Sequence, residues 1–219
     1  MIFTRYAVYL TPEPGPLAQA GATWLGWDIA TGSAVGTPDD RIIKRPRKYG
    51  FHGTIKPPFR LIDGQTPDGL KHAFKRFCAD VRPVMLHGLT LAQIGGFIAL
   101  VPTGDVSELA DLAGRAVSDL DSFRAPPTDQ DLTRRRQTRL TADQDANLIK
   151  WGYPYFFKDF QFHMTLTGPL KRDQFDAVMT QANDHFASCL PSPFSIKSLT
   201  LSGEREDGMF QEILRCPLG

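Results

Sequence analysis

The chain has 219 residues, 42% hydrophobic and 22% charged, a composition that suits one sizeable domain or two small lobes and excludes a coiled coil, a collagen-like repeat or wholesale disorder. Its 25 Lys and Arg stand against 24 Asp and Glu, a formal net charge of +1. Bulk electrostatic attraction to nucleic acid or an anionic membrane is thereby excluded, and recognition of an anion has to be local.

In chain order, the β-branched and aromatic run 5–10 predicts a first strand, ended by the breaker cluster Thr11-Pro12-Glu13-Pro14-Gly15-Pro16. A short helix is expected over 17–27. The polar, basic stretch 32–48 holds Thr37-Pro38-Asp39-Asp40 and Lys44-Arg45-Pro46-Arg47-Lys48, and is expected to be a loop leading into Tyr49-Gly50-Phe51-His52 and a strand. The segment 12–48 is long for a connection in a compact domain; connections of that size serve as lids or binding segments, so a lid is one reading of it.

Thr66-Pro67-Asp68 combines an N-cap, a proline at the first helical position and an early acidic residue, and Leu70, Phe74, Phe77 and Val81 follow at helical spacing. Two β-rich runs, 84–94 and 97–101, flank Gly95-Gly96 as the arms of a hairpin would. A helix over 106–120 and another over about 129–150 come next. The second half then repeats the order of the first: a strand over 160–167, a helix over 174–186, and strands over 194–201 and 209–214 around a turn at Glu206-Asp207-Gly208. His52 lies 45 positions before Phe97, and His163 lies 47 before Phe210. Self-similarity of this kind predicts an α+β protein of two related lobes, with repeat halves at roughly 49–102 and 160–217 inside a single 1–219 domain.

Within the repeats sit His52-Gly53-Thr54 and His163-Met164-Thr165. Alternate strand residues share a face, so His52, Thr54 and Lys56 should project together, as should His163, Thr165 and Thr167, with Phe51, Gly53 and Ile55 or Phe162, Met164 and Leu166 turned to the core. Two such strands facing one another would line a cleft with two imidazoles and two hydroxyls. That inventory suits cleavage of a phosphodiester without a metal. A neutral imidazole takes a proton from the attacking hydroxyl or water, a protonated one gives a proton to the departing oxygen, and histidine populates both forms near neutrality. Thr54, Thr165 and Thr167 hydroxyls, with the Lys56 charge, would hold the phosphate oxygens. A scrambled chain of this composition holds roughly 0.4 His-x-Thr matches, so one alone carries nothing. Two that follow Phe at equivalent points of a repeat carry more.

The blocks Tyr49-Gly50-Phe51-His52-Gly53-Thr54-Ile55-Lys56-Pro57-Pro58-Phe59 and Trp151-Gly152-Tyr153-Pro154-Tyr155, the latter leading to Phe162-His163-Met164-Thr165-Leu166-Thr167-Gly168, resemble the two-histidine (2H) phosphoesterase superfamily. They are similar in particular to its bacterial branch associated with phosphonate-utilisation genes. The resemblance runs from Arg5-Tyr6-Ala7-Val8-Tyr9 onward. It implies two pseudo-symmetric lobes, each an antiparallel sheet with helices on its outer face, around a central cleft. It also implies His52 and His163 as the acid and base, Thr54 and Thr165 as phosphate-binding hydroxyls, and no cofactor or metal. The expected partner is a small cyclic or diester nucleotide or sugar phosphate, handled by a monomer. Two alternatives stay open: a 2′,3′-cyclic RNA-end phosphodiesterase, and a phosphate-ligand or RNA-binding module that does not turn over.

The remaining polar residues read as structural. Arg134, Arg135, Arg136 and Arg139 are in reach of a second phosphate, yet a solvated helix face is the simpler expectation. His72 and His87 lack metal-ligand spacing. Tyr6, Tyr49 and Tyr153 suit either the cleft, stacked on a base or sugar, or the core, and core packing is the simpler expectation. Cys78, Cys189 and Cys216 are odd in number and have no Cys-x-x-Cys pair, so they read as small apolar residues and not as a disulfide framework. No run reaches the 18 or so apolar residues of a membrane span, and no basic leader precedes an apolar stretch at Met1–Val8, so a cytoplasmic location is expected. No phosphate loop, Rossmann fingerprint, serine elbow or His-Glu-x-x-His helix is present.

Overall fold

Both faces of the first strand are buried, and this decides how the rest is layered. In β1 (Arg5–Leu10), Tyr6, Val8 and Leu10 enter the main core, while Ala7 and Tyr9 join Trp27, Ile29 and Phe210 in a smaller cluster on the opposite face. A strand wrapped on both sides belongs at the centre of a sheet. The computed structural model describes residues 3–36 and 39–219; Met1, Ile2, Thr37 and Pro38 lie outside the described residues.

After β1 come α1 (Pro16–Leu25), β2 (Trp27–Asp28), β3 (Ser33–Ala34), α2 (Asp40–Arg47), β4 (Gly53–Phe59), α3 (Pro67–Ala79), β5 (Val84–Leu86), β6 (Gly88–Ile94), β7 (Phe97–Thr103) and α4 (Ser107–Asp119). The chain continues through α5 (Asp129–Arg136), α6 (Ala142–Trp151), β8 (Met164–Thr165), α7 (Phe175–Phe186), β9 (Phe194–Ile196), β10 (Ser198–Glu204) and β11 (Phe210–Pro217). Seven strands form one antiparallel sheet in the order β11-β10-β1-β4-β8-β7-β6. Packed on it are α3 against β10 and β11, α4 against β4, and α7 against β6. The fold is α+β. Among the described residues no helix is long and apolar enough to cross a membrane.

Helices with clear caps fall where the sequence puts them. Thr66 accepts a hydrogen bond from the Gly69 amide at 3.0 Å, Pro67 opens α3, and Leu70, Phe74 and Phe77 are buried beneath the sheet. The hairpin turns at Gly95, whose φ of +53° suits glycine.

Elsewhere the structure corrects the reading. The expected loop 32–48 carries β3, paired with β2, and the helix α2, which is polar because only its Ile42, Ile43 and Pro46 side are buried. The expected helix over 129–150 is two helices, each opened by its own capping box, Thr128 with Asp131 and Thr141 with Gln144. The expected strand 84–94 divides at His87: β5 pairs with β9 in a separate ladder, and β6 pairs with β7. Only Met164 and Thr165 of the run 160–167 are strand. The sequence halves do not stay together either. The His52 strand β4 lies beside β1, β10 and β11, whereas the His163 strand β8 lies beside β7 and β6, so each half lends its hairpin to the other.

Lys56 departs furthest from its expected place. Its register against β1 shifts just ahead of Pro57-Pro58, and Ile55 and Lys56 are both buried, so the alternation breaks there. Prolines offer no N–H to a ladder and favour such irregularities. The Lys56 amine is turned under the sheet, where it donates to the Val117 carbonyl at 2.9 Å and lies 3.5 Å from Asp121. Burial lowers its pKa to about 8 against the pull of the Asp121 carboxylate. Lys56→Met keeps the stem and removes a costly buried charge. We predict a stability within about 1.5 kcal/mol of wild type in urea unfolding and unchanged turnover; loss of turnover at equal stability would return Lys56 to the site.

Candidate active site

The two His-x-Thr segments meet through their middle residues: Gly53 of β4 is the antiparallel partner of Met164 of β8. Continuing that register sets His52 across from Thr165 and Thr54 across from His163, all four on the face opposite the Phe162 and Met164 side chains. The imidazoles are then diagonal neighbours, with Cβ atoms about 7–8 Å apart by strand geometry. Gly53 makes the approach possible, because a Cβ there would lie 2.2 Å from the Phe162 ring.

The two histidines are held alike. His52 Nδ1 donates to the Gly50 carbonyl at 2.9 Å, and His163 Nδ1 donates to the Gln161 carbonyl at 2.9 Å, in each case two residues upstream. A carbonyl only accepts, so Nδ1 carries the hydrogen in both rings and Nε2 is the acceptor nitrogen of the neutral ring. Gly50 adopts φ +70°, and a Cβ there would meet Ile29 at 2.7 Å, so glycine is required to aim that carbonyl. His52 Nε2 lies 3.2 Å from the Thr54 hydroxyl. The Tyr9 ring covers His52 at a centroid distance of 3.8 Å. Burial lowers the His52 pKa to about 4; the nearby His163 charge acts in the same direction, and the bond to Gly50 opposes it. At neutral pH His52 is therefore a neutral imidazole whose Nε2 lone pair accepts from the Thr54 O–H.

A cavity of about 250 Å³ is lined by Arg45, Tyr49, His52, His163, Thr165 and Thr167. A second, of about 300 Å³, is lined by Thr54, Gln144, Tyr153, Asp159, Gln161 and His163. His163 is the wall common to both. The structure thus brings together His52, His163, Thr54, Thr165 and Thr167, and leaves out Lys56. Thr167 is buried and accepts from the Ile98 amide at 3.0 Å, which leaves its O–H free to donate. Among the described residues no group of three or more His, Cys, Asp or Glu side chains is placed to hold a metal ion.

Residues 54–211 match the family model described as "Protein of unknown function (DUF1045)". The chain belongs to the DUF1045 family. This DUF1045 chain is 38% identical, over 98% of its length, to 51% of the ribose 1,5-bisphosphate phosphokinase PhnN of Janthinobacterium sp. (strain Marseille). It is 35% identical, over 93% of its length, to 49% of the protein of the same name from Laribacter hongkongensis (strain HLHK9). The chain therefore spans about half the length of the curated relatives it matches. Similar solved structures are a phosphoesterase, at TM-score 0.47 and 12% identity over 98% of both chains, and E. coli LigT complexed with NADP+, at TM-score 0.46 and 12% identity over 100% of this chain and 99% of that one. In three dimensions the two His-x-Thr segments of this DUF1045 chain lie side by side through the Gly53–Met164 pairing.

Two contributors to the DUF1045 site, Arg45 and Tyr9, escape the sequence reading, and a third, Tyr49, takes the cleft in place of the core. Arg45, on α2, lines the first cavity and has no carboxylate partner among the described residues. Tyr9 walls in His52 from the neighbouring strand, and Tyr49, expected in the core, lines the first cavity with its ring 5.1 Å from Phe210. Tyr153 likewise lines the second cavity, whereas Tyr6 is in the core as expected. The basic run 44–48 was the available signal for Arg45. Tyr9 had none, because cross-strand neighbours are set by register. Gly53→Ala should force β4 and β8 apart. The expected result is a loss of about 1–3 kcal/mol in thermal or urea unfolding together with a fall in turnover larger than the unfolded fraction explains; wild-type turnover would show that the Gly53–Met164 contact does not set the site.

Proposed function

We propose that the chain is a phosphoesterase that opens a cyclic or diester phosphate on a small sugar or nucleotide, using His52 as general base and His163 as general acid. The observation that carries this reading is the pair of Nδ1-anchored imidazoles, joined through Gly53 and Met164, that line one cavity. Neutral His52 takes a proton from water as its oxygen bonds to phosphorus. His163, protonated on Nε2, gives its proton to the ester oxygen as that P–O bond breaks, and proton exchange with solvent resets both rings. Thr165 and Thr167 hydroxyls donate to the non-bridging oxygens, and the Arg45 guanidinium adds a positive charge where negative charge develops.

The relatives' printed name concerns a ribose bisphosphate, and the sequence resemblance concerns the phosphonate branch of the superfamily. Together they support a phosphorylated pentose as the substrate class and a place in phosphonate breakdown. Either histidine replaced by alanine should lower kcat by about 10²- to 10⁴-fold in folded protein. Wild-type rates in either variant would refute the mechanism, and binding of a cyclic phosphate with no product at all would select a non-catalytic module.

The pH profile gives the base its own signature. His52 works only when neutral, so its limb of kcat/KM should hold down through pH 5 and fall as pH drops through about 4. An acid limb near the ordinary histidine value of about 6.5 would contradict the assignment. The same shift has a consequence for stability. Between about 6.5 and about 4 the unfolded chain binds a proton that the native chain refuses, so stability falls as pH decreases across that window.

A further inference from the structure

A third cavity, of about 110 Å³, lies beside the first two and is lined by Arg5, Arg60, Arg124, Arg134 and Arg135, with Asp131 the one carboxylate in its wall. In a chain of net charge +1 this is a strong local concentration of guanidinium. Four of the five are held by carboxylates. Glu204 holds Arg5 through bonds of 2.5 and 2.6 Å, and Asp121 holds Arg124 at 2.7 Å. Asp131 takes bonds from Arg60 at 2.8 Å and from Arg134 at 2.9 Å, and the first of these keeps its carboxyl well below the usual range. One carboxylate shared between two guanidiniums leaves positive charge over.

Arg135 is the fifth, and it is different. Half-buried, it lies over the Tyr153 ring at 4.8 Å and has no carboxylate partner among the described residues. A guanidinium stacked on an aromatic face keeps its in-plane donors free, and five N–H groups in a fixed fork match the oxygens of a phosphate. The cavity is the size of a few water molecules at about 30 Å³ each, which suits one phosphoryl group and not a base or a polymer strand. It also adjoins the candidate active site. Tyr49 lines both this cavity and the first one, and Tyr153, beneath Arg135, lines the second.

We propose that this arginine-lined cavity is a second phosphoryl site, which holds the phosphomonoester of the same substrate whose diester lies between His52 and His163. The inference rests on the proposed function and narrows it: the substrate class becomes a pentose bearing both a cyclic diester and a separate terminal phosphate. A doubly anionic monoester is what distinguishes such a compound from an unphosphorylated cyclic nucleotide, and Arg135 would be the residue that reads the difference.

Two measurements test this and separate it from the catalytic reading. In calorimetry with ribose 5-phosphate, a monoester without any diester, the His52→Ala/His163→Ala double variant should still bind. Adding Arg135→Gln should weaken that binding at least about tenfold, and Arg60→Gln, made separately, should weaken it as well. Failure of the double variant to bind, or an affinity indifferent to both arginine substitutions, overturns the proposal. In turnover, adenosine 2′,3′-cyclic phosphate is compared with the same compound carrying a 5′-phosphate. The wild type should favour the 5′-phosphorylated form in kcat/KM, and R135Q should bring the ratio toward one; a wild-type ratio of one overturns the proposal. If neither compound is cleaved while ribose 5-phosphate binds through Arg135, the second site stands and the catalytic reading falls.

Discussion

A single backbone pairing, Gly53 with Met164, is the constraint on which the rest of the site depends. It joins a group of four strands to a group of three, and the two His-x-Thr segments cross at that seam. Because the pairing is antiparallel and centred on the middle residue of each motif, it generates a local twofold arrangement in which each histidine faces the other motif's threonine. A one-residue slip of either strand would turn its imidazole into the hydrocarbon under the sheet and leave the other histidine without its counterpart. The missing side chain at Gly53 and the Phe162 ring that fills its place fix the approach.

Symmetry of the backbone does not extend to the surroundings, and in the proposed mechanism that difference divides the labour. Both rings point Nδ1 at a carbonyl two residues back, but His52 is roofed by Tyr9, whereas His163 opens onto two cavities and has the Phe97 ring at 5.7 Å. A buried imidazole resists protonation, so the walled-in ring is suited to accept a proton and the open one to deliver it. Charge is handled locally in the same way. The chain is almost neutral overall, yet Arg45 sits at one cavity and five arginines surround another. A protein with this distribution attracts small anions to particular points without attracting polyanions in general.

Much of this was legible in the sequence, and what failed did so for identifiable reasons. Local signals carried over well: the cap and proline of α3, the Gly95-Gly96 hairpin, and the alternation that sends His52 and Thr54 to one face. The alternation argument then failed at Lys56, since Pro57-Pro58 broke the register just where the rule was extended by one more step. Capping boxes at Thr128 and Thr141 were present in the sequence, and reading them would have divided the helix expected over 129–150. The exchange of hairpins between halves had no sequence signal, because the repeat sets the order of elements and not their partners. Arg135 could not be told from Arg134 and Arg136 along the chain. In space the other two are tied to Asp131 and Asp145, and it is left over Tyr153.

The claim at the centre is that two imidazoles from distant parts of the chain address one anion. It is tested most directly by following both histidine ring signals in nitrogen-resolved NMR while orthophosphate is added. The account predicts that the Nε2 signals of His52 and His163 move together with a single midpoint. Movement of one ring alone, or of the two with separate midpoints, would contradict it.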